Sequence, residues 1–439
     1  MGRLFRANEE LVATGQLLES GSRRGKNLVA TAAVSSLSKT KCDLIGEPRI
    51  LVLTKSQEIP VQKILFYTES PILGGHERMA FVAADAIRKY DASLQIEWLV
   101  NPQNARLKAA LTEHRHRYTE LDCAPAFAWK RNYLAAARKV DRIAGIIRKL
   151  TPDLVMIAQG GITGSYDGIF ACRIAKVEYC SYIAMAHRST ELAAYRFPGL
   201  WNALRSNLYK PIRKYITLDE QQALRIAREH QGAQIEVVEN YVPPPAATTK
   251  CCQSQREQLG LAPDKVVLAV VGRIEFQQKC QDWLVDALQE GDFLNNKTVV
   301  FVGDGPDLAQ LTAKIQQSKK AENFKLLPWR ENMDELYAAI DVLLIPSRAE
   351  GVPLVMLESL WRKIPVVGTD RDGMKTWLPA EWRYEFGDGK GLKKAVSAAL
   401  SPAPAQLWDR ISQRLSEVAS EENFADRFSS ALKQFAAAR

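Results

Sequence analysis

The chain has 439 residues, of which 46% are hydrophobic and 25% charged, and it carries a formal net charge of +9. That length is sufficient for two or three domains with cores of their own. No apolar run approaches the roughly 18 residues of a membrane-spanning helix. The seven cysteines include no C-x-x-C pair, so the sequence disfavours a disulfide scaffold and a structural zinc protein as well as a transmembrane protein.

Residues 1–62 precede the regular part of the sequence and are predicted to form an N-terminal extension whose role the pattern does not define. Glu9 and Glu10 interrupt its first apolar stretch, which makes it a poor secretory signal. The scattered cysteines fit a reducing compartment. We therefore expect a cytoplasmic protein.

From residue 63 the sequence alternates apolar strand patterns with amphipathic helices. The segment KILFYTES is predicted as a strand and RMAFVAADAIRKY as a helix, with the loop PILGGHE between them. Further strands are predicted over residues 96–100, 154–158, 179–186, 215–218 and 236–238. The alternation is typical of a parallel sheet covered by helices on both faces, and it predicts a Rossmann-like first domain over 63–241.

Three consecutive prolines, Pro243 to Pro245, interrupt the alternation and predict a linker over 242–256. A second Rossmann-like domain is predicted over 257–420, with strands at 266–271, 298–302, 324–327, 342–345 and 365–367. An amphipathic helix within 421–439 is suited to packing back on the first domain. The predicted fold class is therefore α/β, with two doubly wound domains facing across a cleft where a ligand would bind.

Two glutamates, Glu350 and Glu358, flank a predicted helix start in the second domain. Gly351 begins the turn between them, and Pro353 suits the first helical position. Free N–H groups at such a start attract an anion such as a phosphate, while the glutamates offer acceptors for hydroxyl groups. This combination favours a sugar attached to a nucleotide. Taken singly, the glutamates would also fit a capping acid and a solvated helix residue.

Further candidates follow strands, where open α/β sheets bind their ligands. Gly74 and Gly75 would let a ligand approach the backbone, and the Gly272-Arg273 pair with Lys279 would suit a diphosphate. His187 ends another apolar strand. Each also has a simpler interpretation: a tight turn, surface cations and a structural histidine.

Two other patterns are weak. Gly303 and Gly305 resemble the opening of a dinucleotide fingerprint, but Leu308 stands where its third glycine belongs. Asp370 and Asp372 form an Asp-x-Asp pair of the kind that some metal-dependent transferases use, and such pairs are common by chance.

In combination these elements resemble the family 4 glycosyltransferases, which are retaining enzymes of the GT-B fold. The resemblance covers about residues 63–439 and is strongest between Val266 and Gly368. In the second domain it rests on GRIEFQQKCQDWLVDAL, VFVGDGPDL, MDELYAAIDVLLIPS and EGVPLVMLES with its E-x7-E spacing. In the first domain it rests on ILGGHE, AMAH and YKPIRKYITLDEQQ.

The resemblance assigns roles at the donor diphosphate. Arg273, which follows Gly272, and Lys279 would hold it, joined by the N–H groups near Leu354 and Val355 after Gly351. No metal and no separate cofactor is required, because the Arg–Lys pair supplies the positive charge. The leaving phosphate could itself accept the proton of the acceptor.

The remaining roles concern the sugar and the ribose. Glu350 would contact sugar hydroxyls, Glu358 the ribose, and His187 would lie beside the transferred sugar. Gly75, next to Gly74, would pass close to the diphosphate from the other domain.

The sequence departs from the family pattern at several positions. Cys280 stands where a glycine is usual, Pro328-Trp329 replaces a glycine-containing turn, and Asp219 replaces a commoner serine. RDGMKTWL replaces the glycine-rich loop after Val367. The last two departures bear on which sugar the donor carries.

The resemblance implies transfer of a sugar from a nucleotide-diphosphate sugar to a glycan, lipid-linked or small-molecule acceptor, with retention of anomeric configuration. The alternatives are a non-catalytic protein that binds a nucleotide sugar or an anionic surface, and a GT-B sugar-nucleotide epimerase. A phosphorylase is disfavoured because those chains are much longer.

Two basic segments bear on the partner. Residues 104–149 carry eleven Lys or Arg against four Asp or Glu, and residues 205–214 read RSNLYKPIRK. No motif that reads DNA or RNA is visible, so nucleic acid is not expected. A solvated helix face is one interpretation; the other is an acidic or lipid-linked acceptor and peripheral association with the anionic inner face of a membrane.

Overall fold

The computed structural model describes residues 63–91, 94–121, 133–192, 197–245, 252–330, 333–418 and 420–437. The extension predicted over 1–62 lies outside these residues. Two parallel sheets organise the described part of the chain.

The first sheet has seven parallel strands in the order β3-β2-β1-β4-β5-β6-β7. They are β1 (Lys63–Thr68), β2 (Gln95–Val100), β3 (Arg117–Glu120), β4 (Leu154–Gly161), β5 (Tyr179–Met185), β6 (Lys214–Thr217) and β7 (Gln234–Val237). We call this sheet and the helices on it the first domain. The strand order reverses between β1 and β4, so the two strand ends there open a crevice.

The second sheet has six parallel strands in the order β10-β9-β8-β11-β12-β13. They are β8 (Val266–Val271), β9 (Lys297–Val302), β10 (Phe324–Leu327), β11 (Val342–Ile345), β12 (Val366–Thr369) and β13 (Arg383–Tyr384). This sheet and its helices form the second domain. Both sheets are doubly wound, which confirms the predicted α/β class.

Helices connect the strands and cover both faces of each sheet. In the first domain they are α1 (Gly75–Tyr90), α2 (Ala105–Glu113), α3 (Tyr133–Leu150), α4 (Tyr166–Ala175), α5 (Ser189–Leu192), α6 (Pro198–Tyr209) and α7 (Glu220–Glu229). Beyond it lie α8 (Cys252–Gln258), α9 (Phe276–Lys279), α10 (Gln281–Gln289), α11 (Leu308–Gln317), α12 (Met333–Tyr337), α13 (Leu354–Trp361), α14 (Asp372–Trp377), α15 (Gly389–Leu400), α16 (Ala405–Val418) and α17 (Glu421–Ala437).

Strand β1 shows why helices are needed on both faces. Ile64 and Phe66 join one hydrophobic core, whereas Leu65 and Tyr67 join another on the opposite side. Successive side chains of a strand point to opposite faces, so an uninterrupted apolar run has to be covered twice.

The last helix, α17, packs against the first domain. Phe428 contacts Tyr182 of β5 with ring centroids 5.4 Å apart. The buried Lys214 of β6 donates from Nζ to the Phe435 carbonyl at 2.6 Å. The helix α17 thus packs back on the sheet of the first domain.

Three local features differ from the expectations. Strands β3 and β13 were not predicted, and every residue of β3 is exposed, so it lacks the apolar alternation that marks a strand. The helix α8 begins at Cys252, inside the predicted linker. Pro353 is the N-cap of α13 rather than its first helical residue.

The weak dinucleotide pattern at Gly303 has a structural explanation. Gly303 has a φ of 149°, and a Cβ there would lie 2.0 Å from the Gly272 carbonyl oxygen. The ends of β8 and β9 therefore approach too closely for any side chain.

We expect Gly303→Ala to lower the free energy of unfolding by about 2–4 kcal/mol, because it adds both a clash and backbone strain. The matched control is Gly145→Ala in α3, where a Cβ meets no atom within 4 Å and the gain should be about 0.5–1 kcal/mol. Urea unfolding of both variants measures the difference. Equal stability of Gly303→Ala and the parent would contradict the close approach.

Candidate active site

The first glutamate of the pair is buried and ion-paired. Glu350 lies between β11 and α13, and its Oε1 is 2.5 Å from Lys279 Nζ at the end of α9. A Cβ on Gly351 would lie 2.6 Å from the Ala184 carbonyl oxygen of β5. The absence of a side chain there lets the glutamate loop of the second domain reach the first domain.

The second glutamate joins the two domains. Glu358 is buried one turn into α13; its Oε1 is 3.1 Å from Arg78 Nη1 of α1, and its Oε2 accepts a hydrogen bond from the Tyr337 hydroxyl at 2.6 Å. Burial and the Glu358 charge raise the pKa of Tyr337 well above its ordinary value. Glu358 is therefore not the solvated helix residue of the simpler interpretation, and Glu350 is buried as well.

The glycine pair of the first domain lies beside the start of α13. A Cβ on Gly75 would be 3.9 Å from Leu354 Cδ1. Gly74 donates its N–H to Glu77 Oε2 at 2.9 Å, and the other oxygen of Glu77 is 2.6 Å from His76 Nε2. Met356 and Leu357 donate their N–H groups to the Pro353 carbonyl, at 3.1 and 3.4 Å. The N–H groups of Leu354 and Val355 precede the first intrahelical bond, so they are the donors that this loop faces.

Arg273 and Lys279 follow β8 but differ in their surroundings. The Arg273 side chain is exposed, and its carbonyl accepts a hydrogen bond from Gln281 Nε2 at 2.8 Å. Lys279 is held by Glu350. Cys280, which replaces the family's glycine, has a left-handed φ of 54°, so the glycine preference at this position follows from the backbone.

His187 lies at the end of β5 and is buried beside a carboxylate. Its Nε2 is 3.0 Å from Asp372 Oδ1, and Arg225 Nη1 forms an ion pair with the same oxygen at 2.9 Å. Asp372 Oδ2 accepts the Glu350 backbone N–H at 3.0 Å. Burial raises the pKa of the Asp372 carboxyl, but the hydrogen bond with His187, the Glu350 amide and Arg225 together hold it below its ordinary value.

The first turn of α7 supports this arrangement. Asp219, one of the departures from the family pattern, accepts the Gln222 N–H at 2.8 Å and so caps the helix. Gln222 in turn accepts the Ala186 N–H at 2.8 Å and donates to the Glu350 carbonyl at 3.4 Å. Burial raises the pKa of Asp219.

The Asp-x-Asp pair is divided between two environments. Asp370 pairs with Arg383 at the start of β13, whereas Asp372 points into the site. Within the described ranges, no three His, Cys, Asp or Glu side chains converge in a way that could hold a metal ion. Sequence reasoning missed Arg78, Tyr337, Gln222 and Arg225 as partners of the predicted residues. Tyr337 lies within MDELYAAIDVLLIPS and Gln222 ends YKPIRKYITLDEQQ, while Arg78 directly follows GGHE. The motifs thus contained or adjoined these three residues, but their spacing did not show which side chains they contact.

Part of the chain matches a known protein family. Residues 265–401 match the family model "Glycosyl transferases group 1". The matched residues include all six strands of the second domain, which we call the group 1 domain after this model. The chain is 31% identical over 189 residues to the D-inositol 3-phosphate glycosyltransferase of Actinosynnema mirum, covering 36% of this chain and 45% of that protein.

A second relative is the UDP-Gal:alpha-D-GlcNAc-diphosphoundecaprenol alpha-1,3-galactosyltransferase of Escherichia coli. The identity is 29% over 119 residues, which cover 26% of this chain and 30% of that protein. The chain thus matches less than half of the length of these two relatives.

The whole described architecture has solved counterparts. Anabaena HepE in complex with UDP and glucose superposes with a TM-score of 0.69 at 18% identity, covering 85% of this chain and 99% of that one. The resemblance and the predicted GT-B fold are confirmed. No helix among the described residues is long and apolar enough to cross a membrane.

The two partners of Glu358 should differ in their contribution to stability. Tyr337→Phe would leave a buried carboxylate oxygen of the group 1 domain without its donor, at a cost of about 1–3 kcal/mol. The Arg78 side chain is 47% exposed, so Arg78→Ala should cost about 1 kcal/mol or less. Urea unfolding ranks the two variants. The reverse order would show that burial does not set the strength of these contacts.

Proposed function

We propose that the chain is a retaining glycosyltransferase that uses a nucleotide-diphosphate sugar as its donor. The observation that carries the proposal is the arrangement around α13. The Lys279–Glu350 pair lies before the helix start, Gly75 faces that start from the other domain, and Glu358 follows one turn later. Glu350 would therefore face the sugar, Lys279 and the N–H groups the diphosphate, and Glu358 the ribose. This is the order of the three parts in a nucleotide sugar.

The diphosphate would bind at the helix start. An ammonium group has three N–H donors, so Lys279 can keep its contact with Glu350 and still donate to a phosphate oxygen. The N–H groups of Leu354 and Val355 add donors and the positive end of the helix dipole. The exposed side chain of Arg273 would turn toward the same anion.

The two glutamates and His187 would contact the rest of the donor. Glu350 accepts from sugar hydroxyls and Glu358 from the ribose, while His187 lies beside the transferred sugar. The Arg78 contact to Glu358 is on the exposed side of that carboxylate, so the ribose would compete with or rearrange this ion pair. The UDP and glucose bound by HepE, and the UDP-sugar and lipid-linked acceptor in the name of the E. coli relative, support a UDP-sugar donor and a lipid-linked or glycan acceptor.

Retention is favoured by the pairing of the carboxylates. Among the described residues around α13, Glu350 pairs with Lys279, Glu358 with Tyr337 and Arg78, and Asp372 with His187 and Arg225. Each acid is thus engaged by a donor instead of being available as a general base. The leaving phosphate would take the acceptor proton while fixed charges and dipoles stabilise it.

The donor nucleotide can be found by a thermal-shift screen with UDP, GDP and ADP, because a ligand that binds the folded state raises its melting temperature. We expect UDP to do so and Lys279→Ala to lower the transfer rate roughly thirty- to a hundredfold through the loss of a charge-assisted phosphate contact. The matched control is Lys314→Ala: its side chain is 30% exposed against 27% for Lys279, and it pairs with Asp286 away from the site.

Unchanged activity of Lys279→Ala would show that the diphosphate assignment is wrong. Nucleotide binding without turnover of any donor would instead favour the non-catalytic alternative. The coupling constant of the product's anomeric proton, read by NMR, decides between retention and inversion.

We also propose that the first domain associates with an anionic membrane through the outer faces of α4 and α6. Large apolar side chains are 39–60% exposed there. They are Phe170, Ile174, Phe197, Leu200, Trp201 and Leu204. The two helices are joined by a hydrogen bond from the Tyr166 hydroxyl to the Leu208 carbonyl at 3.0 Å.

Positive charge lies next to this apolar surface. Arg148 of α3 donates to the Ile174 carbonyl at 2.8 Å, and Arg173 and Lys176 are exposed on or beside α4. Apolar insertion together with attraction to anionic lipid is the usual basis of interfacial binding.

We expect the protein to co-sediment with phosphatidylcholine vesicles only when they contain phosphatidylglycerol, and less at high salt, because salt screens the attraction. The double variant Leu200→Ser/Trp201→Ser should lose most of this binding. The control, Tyr118→Ser on the edge strand β3, removes another exposed aromatic and should not. Binding that ignores both salt and the double variant would contradict this surface.

A further inference from the structure

One residue outside the predicted site holds parts of it from both domains. Asp372, at the start of α14, is buried; it hydrogen-bonds to His187 of the first domain and to the Glu350 amide of the second, and it forms an ion pair with Arg225. The loop that carries it also lies against the glutamate loop, since the Gly373 N–H donates to the Gly351 carbonyl at 2.9 Å. A Cβ on Gly373 would be only 2.6 Å from that oxygen.

The backbone of Asp372 is in an unfavourable conformation for its residue type. Its φ is 51°, a left-handed value that glycine adopts freely and other residues rarely do. It belongs to the segment RDGMKTWL, which replaces a glycine-rich loop of the family pattern. A strained residue persists where its surroundings hold it in place, and here the carboxylate contacts do so.

These contacts also determine where His187 carries its proton. An anionic carboxylate oxygen beside Nε2 favours the form of the ring in which Nε2 bears the hydrogen. Nδ1 of the neutral ring is then an acceptor, and it has no hydrogen-bond partner among the described residues. The same carboxylate accepts the Glu350 N–H and so fixes the position of the Glu350 loop. Asp372 thus orients both proposed sugar contacts, His187 and Glu350.

We propose that Asp372 is a positioning residue for sugar transfer, which holds the imidazole of His187 in the Nε2–H form and joins it to the Glu350 loop across the cleft. The inference rests on the proposed function. It predicts a loss in turnover with little loss in nucleotide affinity, because the diphosphate contacts at Lys279 and the α13 start do not pass through Asp372.

Two substitutions separate this role from a purely structural one. In Asp372→Asn the amide oxygen can still accept the Glu350 N–H, and asparagine tolerates a left-handed backbone. Its NH2 group, however, would donate to His187 Nε2 and reverse the ring tautomer, the effect that such an exchange has in a catalytic triad. Asp372→Gly removes the carboxylate while relieving the backbone strain. Lys363→Gly is the matched control, because Lys363 is exposed and has a φ of 56°.

The experiment compares the parent with these three variants. Hydrolysis of UDP-glucose, UDP-galactose and UDP-N-acetylglucosamine, in which water takes the sugar and UDP is released, gives kcat and KM, and calorimetry gives the affinity for UDP. Proton–nitrogen NMR of protein labelled with ¹⁵N-histidine reads the tautomers, which is practical with only five histidines in the chain; His187→Gln assigns the signal.

We expect kcat to fall at least tenfold in Asp372→Asn and Asp372→Gly, consistent with the loss of a group that orients a reacting partner. The UDP affinity should stay within about threefold, as diphosphate contacts dominate it. His187 should carry Nε2–H in the parent and Nδ1–H in Asp372→Asn. Asp372→Gly and Lys363→Gly should both keep or raise the melting temperature, and only the former should lose activity.

An Asp372→Asn protein with the parent's kcat, or with the parent's tautomer, would overturn the inference. So would a loss of activity that is matched by an equal loss of UDP affinity and melting temperature. A parent protein that neither binds UDP nor turns over any of the three donors contradicts the proposed function instead, and the tautomer measurement in that same protein still decides whether Asp372 controls His187.

Discussion

A charge removed from water is strongly destabilising unless it is paired, and this requirement shapes the cleft between the two sheets. Glu358 meets it with Arg78 and Tyr337, and Glu350 meets it with Lys279. Pairing also fixes the direction in which each side chain points. The pairing that stabilises the two buried carboxylates therefore also positions them, in order, along the start of α13.

Close backbone approach is the second requirement. A loop of the group 1 domain can reach β5 of the first domain only because Gly351 has no side chain, and the neighbouring loop can lie against it only because Gly373 has none. Residues with left-handed backbones complete the site at Cys280 and Asp372. Cys280 stands where the family pattern has glycine, and Asp372 lies in the segment that replaces its glycine-rich loop. Both side chains are buried.

Strands were predictable from the sequence wherever a continuous apolar run marked them. Strands such as β8 and β11 are continuous apolar runs, because each is covered on both faces, and their bounds match the prediction. Two edge strands were missed because they carry no such run. All four residues of β3 are exposed, and β13 has only two residues, too few to show a pattern.

The sequence by itself determined the parts that depend on neighbours along the chain: two doubly wound sheets, a helix start preceded by Gly351, and glutamates on either side of it. Tertiary structure alone decided which polar groups meet. His187 and Asp372 are 185 positions apart. From the sequence, Asp372 was one of two acids in a pair that is common by chance; folding buried it beside His187 and paired its neighbour Asp370 with Arg383 of β13. A hydrogen bond between distant loops depends on how two domains pack, and no local period records that.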